Sequence, residues 1–177
     1  MAALRDGSTV TYSYDYCNLF EACSGLTDAS ELVLPKKFGT YGFYQMFYEC
    51  SSLVKTPKLP STQITNYCYD YMFRGCTSLT KAPELPATTL ASGCYSSMFY
   101  GCTSLVEAPE LPATTLEGSC YSSMFSGCTK LTKAPKLPAT TLSNYCYMSM
   151  FYRCTSLTKA PELPATTLVY SCYNSMF

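Results

Sequence analysis

Twelve cysteines and no histidine set the chemistry open to this chain of 177 residues. A thiol can bridge, hold a soft metal, attack as a nucleophile or pack as a small apolar group. Ten of the twelve fall in two series with an interval of 26 residues. One runs Cys50, Cys76, Cys102, Cys128, Cys154, and the other Cys68, Cys94, Cys120, Cys146, Cys172. Cys94 and Cys102 are about 12 Å apart if the segment between them is helical, too far for a bridge. A disulfide would have to join neighbouring repeats, where equivalent atoms lie ~5 Å apart at strand spacing. A column of identical thiols offers no unique pairing, so buried free thiols are the expected state, with inter-repeat disulfides the alternative. No metal is expected, because there is no imidazole and no Cys-x-x-Cys pair.

Other nucleophiles are equally short of partners. Serines and threonines abound, but without histidine a triad would need lysine as its base, and no carboxylate pair has the spacing of a cleft. The chain is therefore expected to be no enzyme and to carry no cofactor. Twelve Lys and Arg balance twelve Asp and Glu. A net charge of zero argues against duplex nucleic acid as a partner, which needs a basic stripe to displace counterions. No apolar run approaches the length of a membrane span. Met1 to Gly7 has no apolar leader, so any export signal is expected to be removed or to lie outside this chain.

What must position these residues is a repeat. Leu59, Leu85, Leu111, Leu137 and Leu163 each open a Leu-Pro pair at the same 26-residue interval. The cleanest unit, Leu85 to Glu110, reads LPATTLASGCYSSMFYGCTSLVEAPE. Leu32 to Lys58 is a longer, degraded copy with Gly42 where later copies have cysteine, and Leu19 to Leu26 is a weaker half-copy. So short a unit cannot bury its own apolar face, and neighbours must stack. Leu90, Cys94, Met98 and Cys102 recur every four residues, which predicts a short helix capped by Thr88 or Thr89 and ended by Gly101. Leu105 to Pro112 is predicted to be extended, with only two or three bonded residues because proline donates nothing to a ladder. The expected fold is an α/β solenoid, a right-handed leucine-rich-repeat stack with one short strand and one short helix per repeat. Thr9 to Tyr14 alternates polar and apolar residues, predicting an N-terminal strand or cap over 1–18. The stack is then expected over 19–177, degenerate in 19–58, regular in 59–84, 85–110, 111–136 and 137–162, and partial in 163–177. The stop at Met176-Phe177, inside a unit, points to a fragment of a longer array or to an end covered by another chain.

The run Met-Phe-x-Gly-Cys-Thr-Ser-Leu at Met72–Leu79 and Met98–Leu105, varied at Met124–Leu131 and Met150–Leu157, resembles the BspA-like leucine-rich repeats of bacterial surface proteins. The period here is longer than the commoner repeat of that family, and Pro-Glu-Leu-Pro stands where aliphatic strand residues are usual. The resemblance implies an extracellular or cell-surface protein that adheres to or binds other proteins. The Met-Phe pairs, fixed in every repeat, are expected to be core rather than a cofactor box. Lys81, Glu107 and Lys133 share one repeat position, and Glu84, Glu110, Lys136 and Glu162 another, which predicts cross-strand charge columns.

Recognition is expected at the positions that vary between repeats. The three residues before each cysteine of the second series, from Thr65-Asn66-Tyr67 to Val169-Tyr170-Ser171, are Tyr, Ser, Asn or Gly in eleven of fifteen cases. That is the vocabulary of antibody paratopes, rigid rings among small adaptable neighbours. The candidate ligand-binding residues are Asn66, Tyr67, Tyr71, Tyr100, Asn144, Tyr145, Tyr152 and Tyr170. The partner expected is a protein or glycan on a host or neighbouring cell surface. Alternatives are a phage tail-associated host-recognition protein and a structural spacer that associates end to end.

Overall fold

The computed structural model describes residues 13–59 and 64–177. Its coils stack in the register set by the repeat, but the segment read as helical is something else. Among the described residues there is no α-helix. Residues 65–76 show why. Cys68, Asp70, Met72, Arg74 and Cys76 each donate their N–H to the carbonyl three residues back, at 3.1–3.3 Å. The N–H groups between them leave the coil altogether: Tyr67, Tyr69, Tyr71, Phe73 and Gly75 donate to Ser92, Cys94, Ser96, Met98 and Tyr100 of the next repeat, at 2.8–3.0 Å. Half the donors thus bond along the chain and half bond across coils. An α-helix would send all of them to the fourth residue back.

The backbone alternates to match. Every fourth residue has positive φ, at Tyr67, Tyr71 and Gly75 in this coil and at Gly93, Ser97 and Gly101 in the next. These are the third residues of alternate turns, the sign pattern of type II turns. The result is a ribbon of linked turns with a four-residue period. In an α-helix a strict four-residue repeat drifts about 40° per step around the axis. In the ribbon it does not drift, so Cys68-Tyr69, Met72-Phe73 and Cys76 all point inward and are buried.

Stacking the ribbons builds the core as files of like residues. Tyr16, Phe43, Tyr69, Tyr95, Tyr121, Tyr147 and Tyr173 form one ring stack with centroids 5.4–5.9 Å apart. Phe20, Phe47, Phe73, Phe99, Phe125, Phe151 and Phe177 form a second, at 5.2–5.8 Å. The Met-Phe pairs are core, and Leu53, Leu79, Leu105 and Leu131 complete it without exposed surface.

The extended arm of each repeat is thinner than a strand. Isolated parallel bridges join neighbouring coils, Lys81 to Glu107, Glu107 to Lys133 and Thr115 to Thr141. Prolines at 83, 86, 109 and 112 supply no N–H, so these bridges do not extend into a ladder. The charge columns fall in the register expected from the sequence. At the N-terminus, Thr9 to Tyr12 lie outside the described residues. Ser13 and Tyr14 are in no strand; Tyr14, Tyr16, Asn18, Phe20 and Ala22 donate to Thr40, Gly42, Tyr44, Met46 and Tyr48, so 13–22 is the turn ribbon of a first coil. No helix among the described residues is long and apolar enough to cross a membrane.

Candidate recognition face

In each ribbon the residues not pointing inward form the outer face. Three of its files are the positive-φ files: Tyr14, Tyr41, Tyr67, Gly93, Ser119, Tyr145, Ser171; then Asn18, Gln45, Tyr71, Ser97, Ser123, Ser149, Ser175; then Ala22, Glu49, Gly75, Gly101, Gly127, Arg153. This revises part of the paratope reading. Glycine is at home in the left-handed region. Part of the Gly enrichment is therefore a backbone requirement. Serine and tyrosine both carry a Cβ, which costs roughly 1–2 kcal/mol there.

The tyrosines gather in the first half of the stack. Tyr14 lies on Tyr41 at 4.7 Å and Tyr41 on Tyr67 at 4.9 Å, with interplanar angles of 4° and 7°. Tyr67 in turn covers Gly93, where an added Cβ would meet its ring carbons at 2.3 Å. Tyr44 joins edge-on to Tyr41 at 5.5 Å and to Tyr71 at 5.9 Å. Arg74 then sets its guanidinium 4.4 Å from the Tyr100 ring, 5.2 Å from Tyr71 and 5.8 Å from Tyr48. Such contacts pre-organise a guanidinium and hold it by cation–π attraction.

Beneath this patch lies Asp70, 7% exposed, with Oδ1 buried and unpartnered. Burial raises its carboxyl to about 7, against the opposing pull of hydrogen bonds from Ser96 and the Tyr71 N–H and of the Arg74 charge. Tyr44 is also raised, by burial first and by Asp70 next.

Of the residues expected from sequence, Tyr67, Tyr71 and Tyr100 belong to this patch. Asn66 is exposed, and its Oδ1 accepts the Ser92 N–H at 3.2 Å, which ties two coils together. A second group lies beyond the serine-rich coil of Ser119, Ser122, Ser123 and Ser126. There Tyr145 meets Tyr170 edge-on at 5.2 Å, and Tyr152 has the Arg153 guanidinium 5.2 Å from its ring. Burial and then a hydrogen bond with Tyr170 raise Tyr145. Asn144 is exposed, and its carbonyl accepts the Ser119 N–H at 2.9 Å. The sequence reading passed over Tyr14, Tyr41, Tyr44 and Tyr48. Aligning Met46-Phe47 under Met72-Phe73 places the last three in the same files as Tyr67, Asp70 and Arg74.

All twelve cysteines are free, with only Cys17 and Cys23 outside the buried class. Among the described residues no group of three Cys, Asp or Glu could hold a metal ion. Against known families, the model of the BspA-type leucine-rich-repeat region matches in six copies, over residues 8–108 and 40–176. The chain belongs to the BspA-type leucine-rich-repeat family. Repeats of this type serve as protein-interaction and adhesion modules, generally without enzymatic activity and typically at surfaces. No curated protein and no solved structure matches the chain. In this BspA-type stack the files that stay constant are the core, and the outer files change from coil to coil.

Proposed function

We propose that this chain is a non-enzymatic recognition module of a secreted or surface-exposed protein, and that it binds a protein partner through the patch of Tyr41, Tyr44, Tyr67, Tyr71, Arg74 and Tyr100. The observation that carries this is Arg74 held among three tyrosine rings. Tyr and Arg dominate binding hot spots, since each contributes large contact area with few torsions to freeze or with a fixed donor fork. Tyr67 and Tyr71 add ring area to it: Tyr67 stacks on Tyr41 at 4.9 Å and Tyr71 lies 5.2 Å from the same guanidinium.

Ring geometry favours protein over glycan. A sugar stacks on a free aromatic face, but Tyr41 has a ring on each side and Tyr67 lies between Tyr41 and Gly93. What remains outward is ring edge and hydroxyl, suited to backbone and side-chain polar groups. The test is binding of the fluorescently labelled chain to cultured host cells before and after surface treatment. Protease treatment is expected to abolish binding and periodate oxidation of glycans to leave it intact. The Tyr71→Ala/Arg74→Ala/Tyr100→Ala variant is expected to bind at least about tenfold more weakly at an unchanged melting temperature. Binding that survives protease, or a variant that binds like the parent, defeats the proposal.

A further inference from the structure

Asp70 is the group in the tyrosine patch whose hydrogen bonding is incomplete. It stands in the file between Tyr44 of the preceding coil and Ser96 of the following one. Ser96 and the Tyr71 N–H bond its carboxyl, while Oδ1 is buried and has no partner. A buried acceptor left without a donor calls for an explanation. The Arg74 guanidinium does not supply one: among the described residues the one ion pair within 4 Å is Lys55 with Asp28. The other groups that feel the Asp70 charge bring no cation. They are Tyr41 and Tyr44 from the preceding coil and the Cys94 thiol from the following one.

We propose that Asp70 Oδ1 receives the ammonium of a lysine in a basic segment of the partner protein, an assignment that rests on this patch being the binding face. Asp70 is 7% exposed and Tyr44, Tyr71 and Ser96 around it are half-buried, so the way to the carboxyl is from the outer face. An ammonium is a compact point charge that one oxygen can meet, whereas a guanidinium fork is matched by two. The tyrosine rings add cation–π attraction for the same group. A metal ion would need several oxygens, and no group of three Cys, Asp or Glu converges among the described residues. Charge favours a basic segment as well. The described ribbons 13–22, 40–50 and 65–76 carry Asp15, Glu21, Glu49 and Asp70 against Arg74, although the whole chain is neutral. Arg74 opposes a second cation, and the acids outnumber it.

The pairing carries a pH signature. Burial holds the Asp70 carboxyl at about 7, and an adjacent ammonium favours the ionised form. Binding to the protonated form expels a proton, so affinity rises with pH through that value, while lysine keeps its own charge well above it.

The experiment is calorimetric titration of the chain with a tetralysine peptide and with the same peptide acetylated on every amine. The parent is expected to bind the first at pH 8, to bind it at least about tenfold more weakly at pH 5.5, and not to bind the second. Asp70→Asn, confirmed to melt no lower than the parent at pH 8, is expected to bind at least about tenfold more weakly there and to lose the pH dependence. Glu21→Gln/Glu49→Gln is expected to keep that dependence. A parent that ignores tetralysine, a parent that binds the acetylated peptide equally, or an Asp70→Asn variant that binds like the parent overturns the proposal. Binding to cultured host cells separates this failure from failure of the recognition face. Loss of binding in Tyr71→Ala/Arg74→Ala/Tyr100→Ala with full binding in Asp70→Asn keeps the face and overturns the lysine assignment. Full binding in the triple variant overturns the face itself.

Discussion

The Cys102 thiol lies 3.1 Å from the Phe73 carbonyl of the preceding coil, an oxygen that also accepts the Cys76 N–H at 3.1 Å. The same contact recurs at Cys76 with Phe47, Cys128 with Phe99 and Cys154 with Phe125, at 3.1–3.2 Å. The thiol fills a small apolar site and supplies a second hydrogen bond to a buried carbonyl. Alanine does neither. Cys102→Ala is expected to lower unfolding free energy by about 1–3 kcal/mol in urea melts, the sum of a small cavity and a lost weak donor.

Thiol reactivity should follow burial. The buried cysteines are raised, Cys50 and Cys154 to about 11 and Cys94 to about 12, with burial as the main cause in each. Neither access nor thiolate is available at neutral pH. Alkylation of the native chain at pH 8 without reductant is expected to label Cys23 first and Cys17 more slowly. The remaining ten should react only after unfolding, and mass spectrometry counts them directly.

Turn ribbon and helix are distinguishable by circular dichroism. A chain whose backbone bonds run three residues back and across coils should lack the paired 208 and 222 nm minima of α-helix. A helical spectrum would contradict the alternating donor pattern.

Gly93 tests the left-handed file. Its φ is +62°, and a Cβ there would strike the Tyr67 ring at 2.3 Å. Gly101 has φ +71° with nothing nearer than 4.0 Å. Gly101→Ala should cost roughly 1–2 kcal/mol for backbone alone. Gly93→Ala should cost more, and adding Tyr67→Ala to it should recover only the excess. Thermal melts of the three variants read the difference.

Asp70 should make stability depend on pH. Its folded pKa, about 7, lies above that of an unfolded aspartate. Between those values the folded state holds the proton more tightly than the unfolded state, so stability falls as pH rises from 4 to 8. The melting temperature should drop by roughly 2–4 °C for each kcal/mol lost. Asp70→Asn should flatten this slope and, by removing a buried charge, match or exceed the parent at pH 8.

The cysteine, leucine and Met-Phe intervals determined the stack, its register and its core, because apolar residues that recur at the interval of the stack fall into one file and are buried together. They also placed Lys81, Glu107 and Lys133 in one file. The path of the backbone inside the coil was not legible. A period of four is shared by a helix and by a ribbon of turns, and what separates them is whether alternate N–H groups find carbonyls in the next coil. That depends on how closely coils approach, a tertiary quantity. For the same reason the bond from the Ser92 N–H to Asn66 Oδ1, which ties two coils, was not legible. Arg74 looked like one more variable residue until Tyr48 and Tyr100, one repeat to either side, closed around it.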